Sequence, residues 1–144
     1  MQFSFTYPMV GGDHDPALTT RDGMRSVLEA AEAGGFGAVG FTDHPIPSRR
    51  WLEAGGHNAL DPFAALAFCA AVTEQIRLMT NVVVVPYRNP FLIAKMVATV
   101  DVLSEGRTIL GAGTGYLRAE YRALGVEFDE RNELFDEALD TILT

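Results

Sequence analysis

The spacing of apolar residues along the chain switches repeatedly between a period of two and a period of three to four. Gln2–Phe5 alternates polar and apolar residues and is followed by Tyr7-Pro8, which predicts a short strand. From Asp22 to Ala33, the residues Met24, Val27, Leu28 and Ala31 form one face of a helix, and Gly34-Gly35 stops it. Ala38–Thr42 predicts a second strand, and a loop marked by Pro45, Pro47 and Gly55-Gly56 follows. Asp61-Pro62 opens a helix, with Asp61 as N-cap and Pro62 in its first turn, running through Ala71. Ile76–Val85 is the most apolar stretch and contains Val82-Val83-Val84-Val85. It predicts one parallel strand covered on both faces. Asn89-Pro90 opens a helix with Leu92, Ile93, Met96, Val97, Val100 and Leu103 on its apolar face, and Gly106 ends it. Thr108–Gly113 predicts a fourth strand and Arg118–Leu124 a short helix. Glu130–Leu143 predicts a longer acidic helix with Leu134, Phe135, Ala138, Leu139 and Ile142 inward.

The order is β-α-β-α-β-α-β-α, with strands starting near residues 2, 38, 77 and 108. Units of this length predict an α/β fold with a parallel sheet and helical crossovers. Two architectures are open: a doubly wound sheet, or part of a (β/α)8 TIM barrel. A barrel needs eight units in about 250 residues; the 144 residues here supply four. No low-complexity segment or linker divides the chain, so residues 1–144 read as one domain without an internal boundary.

Composition narrows the class. Apolar residues make up 48% and charged residues 21%, as in globular proteins rather than disordered ones. A net charge of −8 disfavours a nucleic-acid backbone or an anionic membrane surface as partner. The single cysteine, Cys69, lies in an apolar run and reads as a buried thiol. The first residues lack the pattern of a signal peptide, and no apolar run approaches the ~20 residues that span a bilayer. The expectation is a soluble, cytoplasmic protein acting on a small-molecule substrate.

In either architecture ligands bind where strands end. Strand two ends in Thr42-Asp43-His44-Pro45, strand three near Pro86-Tyr87-Arg88, and strand four in Gly111-Ala112-Gly113-Thr114-Gly115-Tyr116. His44 is the sharpest candidate, because imidazole exchanges its proton near neutral pH. Asp43 beside it is placed to orient it or to hold a cofactor group. The glycine turn fails the dinucleotide fingerprint, since Tyr116 and Arg118 stand where the third glycine would fall in its two registers. Its glycines still let backbone approach a flat ring or a phosphate. Asp13-His14-Asp15 resembles a metal cluster but reads as a solvated loop, so no metal is expected. His57-Asn58 reads as structural or part of a lid, and Arg49-Arg50 as a solvated pair.

These stretches resemble the luciferase-like monooxygenase family, the bacterial-luciferase superfamily of flavin and deazaflavin oxidoreductases. The resemblance rests on Gly35-Phe36-Gly37-Ala38-Val39-Gly40-Phe41-Thr42-Asp43-His44-Pro45, Asp61-Pro62-Phe63 to Leu78, and Pro86-Tyr87-Arg88-Asn89-Pro90. It continues through Leu103-Ser104-Glu105-Gly106-Arg107, Gly111–Tyr116, and Leu124-Gly125-Val126 to Arg131. The style is most similar to the branch using coenzyme F420, an 8-hydroxy-5-deazaflavin, with FMN as the alternative. The resemblance implies the N-terminal half of a (β/α)8 barrel, with the cofactor ring at the carboxyl rim and hydride or oxygen transfer to a small organic substrate. Asp43 and His44 would lie beside the ring, with His44 as proton donor or base. A strand bulge, often with a non-prolyl cis peptide, would back the ring near Asn81-Val82. Gly113 and Gly115 would pass close to it. Tyr116 stands where deazaflavin relatives can carry a glutamate or an aromatic residue, and it suggests a wall or hydrogen-bond donor.

Four strands alone would leave apolar edges unpaired. The chain is therefore expected to be a fragment, a homo-oligomer in which copies complete one another, or a truncated and non-catalytic half-barrel. A separate functional possibility, a metal-dependent barrel hydrolase, would use Asp13, His14, Asp43 and His44.

Overall fold

The computed structural model describes residues 2–9 and 15–144. Its strands are β1 (Ser4–Thr6), β2 (Ala38–Phe41), β3 (Arg77–Thr80), β4 (Val83–Val84), β5 (Thr108–Ile109) and β6 (Ala112–Gly113). Its α-helices are α1 (Arg21–Ala33), α2 (Arg49–Glu53), α3 (Pro62–Val72), α4 (Pro90–Leu103), α5 (Arg118–Leu124) and α6 (Arg131–Leu143). One parallel sheet runs β1-β2-β3-β5 and a second parallel pair is β4-β6. Registers such as Ser4↔Ala38, Ala38↔Arg77 and Leu78↔Thr108 keep the strand starts level. Consecutive units are neighbours joined by helices, as in four successive βα units of a barrel.

Helix starts follow local chemistry. Thr20, Asp61 and Asn89 each accept a backbone N–H of the first turn of α1, α3 and α4 respectively. Pro62 and Pro90 occupy the first turn, where a missing N–H costs nothing. The chain leaves α1 through Gly35 and α5 through Gly125, both at positive φ.

Period-two alternation decides which strand face packs. Val39, Phe41 and Leu78 point into a core with Leu28 of α1, Leu66 and Cys69 of α3 and Val100 of α4. Cys69 is fully buried there. The other face, with Ser4, Ala38, Met79 and Ile109, borders a hollow of about 230 Å³ at the amino ends of the strands. A second cluster joins Phe63, Val83, Val85 and Ile93 to Ala138 of α6. The strand starts are stitched by charge: Glu32 accepts the N–H groups of Glu74, Gln75 and Ile76, and Arg107 donates to Thr73, Ile76 and Ser104.

The structure departs from the sequence expectation in three places. Ile76–Val85 is not one strand covered on both faces. It breaks at Asn81-Val82, where the resemblance placed a bulge with a non-prolyl cis peptide; that bond is cis, and Val82 is 41% exposed. Thr108–Gly113 breaks too, because Gly111 lies so close to β3 that an added Cβ would sit 2.2 Å from the Thr80 carbonyl oxygen. The Thr80 hydroxyl spans the break, donating to the Gly111 carbonyl and accepting its N–H. The loop after strand two contains α2, which Ser48 caps. No described helix is long and apolar enough to cross a membrane.

Candidate active site

The carboxyl ends of β2, β4 and β6 converge on a cavity of about 460 Å³. Thr42, Asp43, His44, His57, Asn81, Val82, Val84, Thr114, Gly115 and Tyr116 line it. Asp43, His44, Asn81, Val82, Gly115 and Tyr116 are thus brought together, while Gly113 lies beneath. An added Cβ at Gly113 would sit 2.9 Å from a Val82 methyl. Gly115 has φ +68°, and an added Cβ there would sit 2.7 Å from Val84. These glycines let the turn after β6 lie directly against the bulged strand.

His44 sits at the centre of an aromatic group. Its ring centroid lies 4.6 Å from Trp51, 4.9 Å from His57 and 6.3 Å from Tyr116. Trp51 comes from α2, and the chain passes over its indole at Gly56, where a Cβ would meet the ring at 2.4 Å. That passage delivers His57 to the cavity wall, so His57 belongs to the mouth.

Asp43 does not orient His44. Its carboxylate, 1% exposed, forms a two-pronged pair with the Arg88 guanidinium and accepts the Val84 N–H at 2.9 Å. Burial would lower the Arg88 pKa, but the hydrogen bonds and charge of Asp43 outweigh it and leave Arg88 raised. The pair ties the end of β2 to β4 and to the short 3₁₀ turn Val85–Tyr87. Asn81 donates its side-chain amide to the Thr6 hydroxyl at 2.9 Å, which links the bulge to β1.

The carboxylate that reaches His44 is Glu120 of α5. Its Oε2 lies 3.3 Å from His44 Nδ1 and accepts the Tyr87 hydroxyl at 3.1 Å. Its Oε1 accepts the Ile46 N–H at 3.3 Å. Glu120 is 1% exposed. Burial, then the charge of Glu120 and the hydrogen bond to it, push the Tyr87 hydroxyl far above the usual phenol range. Behind it, burial pushes Tyr121 up to about 12, and its hydroxyl donates to the Thr114 carbonyl.

Sequence reasoning missed Glu120, although a signal existed. Leu117, Glu120, Tyr121 and Leu124 recur at three, four and seven, so Glu120 stands on the apolar stripe of its helix. Of the metal-hydrolase set, Asp13 and His14 lie outside the described residues, and Asp43 is engaged by Arg88.

A parallel α/β sheet whose strand ends gather a histidine, an aromatic wall and a glycine turn is the arrangement of successive βα units of a barrel. The chain belongs to the luciferase-like monooxygenase family, whose model matches residues 1–144. An F420-dependent glucose-6-phosphate dehydrogenase of Microbacterium testaceum is 38% identical over 115 residues, covering 78% of this chain and 32% of that protein. A limonene 1,2-monooxygenase of Rhodococcus erythropolis is 38% identical over 96 residues, covering 64% of this chain and 25% of that protein. The solved structure of monooxygenase RslO1 from Streptomyces bottropensis superposes with a TM-score of 0.83 at 30% identity, covering 99% of this chain and 42% of that one. The chain spans about a third of the length of the curated relatives it matches.

Proposed function

We propose that this chain forms the cofactor-binding mouth of an oxidoreductase that uses coenzyme F420, with FMN as the alternative, on a small organic substrate. The observation that carries this reading is the convergence of His44, Asn81–Val82 and Gly115–Tyr116 on one cavity. The residues fit a flat heteroaromatic ring. The volume lies within the range of small-molecule sites. The exposed Val82 side chain and the glycine turn offer a wall without bulky groups, and His44 and Tyr116 offer polar edges. Asn81, Val82, Thr114 and Gly115 would hold such a ring, and the bound cofactor would supply the hydride or oxygen chemistry. His44 would hold or deliver a proton, and Trp51 and His57 would limit water beside it. Relatives named as F420-dependent dehydrogenases support F420.

Titration of purified protein with each cofactor, followed by absorbance and fluorescence, tests the proposal. The expected result is a saturable change with one of the two; no change with either refutes it.

A second reading rests on the sheet. β1 and β5 are its end strands, and Phe3 beside β1 is largely exposed. Free edges of this kind favour self-association of this chain. Sedimentation over a range of concentrations tests this, and a monomer at every concentration refutes it.

A further inference from the structure

A buried carboxylate needs a donor for each oxygen it presents. Glu120 has three donors from three segments: Ile46 N–H on Oε1, and the Tyr87 hydroxyl and His44 Nδ1 on Oε2. No Lys or Arg forms a salt bridge with it among the described residues. An ionised carboxylate only accepts, so the hydrogen bond with His44 requires the proton on Nδ1. Nε2 of neutral His44 is then the basic nitrogen, and it has no protein partner among the described residues.

We propose that Glu120 is the positioning residue of His44, selecting the tautomer with the proton on Nδ1 and leaving Nε2 as the nitrogen that exchanges a proton with a ligand in the cavity. The proposal rests on the reading of His44 as the proton-handling group. Glu120 does not line the cavity and acts through the imidazole alone. Tyr87 saturates Oε2 and holds the carboxylate in register with the ring, while the Ile46 N–H fixes the other oxygen.

The fixed Ile46 N–H makes the test specific. In Glu120→Gln the side-chain carbonyl must stay where Oε1 was, because a backbone N–H cannot become an acceptor. The new NH₂ then stands at the Oε2 position and faces Nδ1. Nδ1 must accept, and the proton moves to Nε2. Tautomers are read from long-range ¹H–¹⁵N correlations of the imidazole in cofactor-free protein, with His44 assigned by loss of its signals in His44→Gln.

The expected result, read on the neutral ring, is a protonated Nδ1 in the wild type and an unprotonated Nδ1 in Glu120→Gln. A wild-type His44 with its proton on Nε2 overturns the proposal. So does a tautomer unchanged in a Glu120→Gln protein whose circular dichroism matches wild type. If the variant does not fold, the wild-type spectrum alone decides. Because no cofactor is present, tautomer reversal without cofactor binding in the separate titration would sink the functional reading and leave the positioning role standing.

Discussion

Replacing Arg88 by methionine tests how the mouth is held together. The side chain keeps much of its length but loses both hydrogen bonds to Asp43 and its charge. Asp43 stays 1% exposed, with the Val84 N–H as its remaining partner. Two unit charges about 4 Å apart at an effective dielectric of 20 attract by about 4 kcal/mol. Stranding one partner of a buried pair costs about 3–5 kcal/mol. At about 2.1 cal/mol/K per residue, a chain of 144 residues unfolds with an entropy near 0.3 kcal/mol/K. Arg88→Met should therefore lower Tm by about 10–17 °C. Asp43→Asn in the same background removes the stranded charge while leaving an acceptor for Val84, and should recover about 2 kcal/mol or more. Urea and thermal unfolding of the four proteins in this cycle provide the assay. An Arg88→Met protein within about 1 kcal/mol of wild type, or strictly additive losses, would refute the account of the pair. The second contact of Arg88, with half-exposed Asp61 at 3.4 Å, is too solvated to rescue it.

Under the proposed function, His44→Ala should cut turnover by about 10²–10⁴-fold while lowering Tm only slightly; parallel losses of activity and stability would make His44 structural. Gly111→Ala should destabilise far more than Gly35→Ala in urea unfolding. The former drives a Cβ to 2.2 Å from the Thr80 carbonyl oxygen, whereas the latter meets nothing within 4 Å and suffers only its positive φ. Stability should fall as pH rises above about 9. Burial holds the Cys69 thiol up at about 12 against an ordinary 9.0, and Tyr7 and Tyr121 up at about 12 against 10.0, with Tyr87 raised further. The unfolded chain releases these protons first, so the contribution is complete below pH 9 and is lost through the folded-state values. A urea midpoint that stays constant from pH 8 to pH 11 would contradict this.

Much of the fold was legible because its signals are local. Caps at Asp61 and Asn89, stops at Gly34-Gly35 and Gly106, and the apolar spacing of α1 and α4 each act within a few residues. The order of strands and helices followed from them, as did the end of the sheet where His44 and Tyr116 meet. Residue spacing showed neither the break after Thr80, which only the resemblance placed near Asn81-Val82, nor the one after Ile109, because an unbroken Val82–Val85 run shows no local reason to bend. The reason lies across the sheet, in the approach of Gly111 to Thr80.

The partners of the site residues belong to the same class. The neighbouring letters Asp43 and His44 suggested a pair, yet on a strand end successive side chains diverge. Asp43 turned to Arg88, 45 residues away, and His44 to Glu120, 76 residues away. Local sequence signals determined the order of the main strands and helices and the rim at which chemistry gathers. Only the tertiary structure decided which carboxylate holds which base, because burial lets an acidic side chain persist only where distant segments bring it donors.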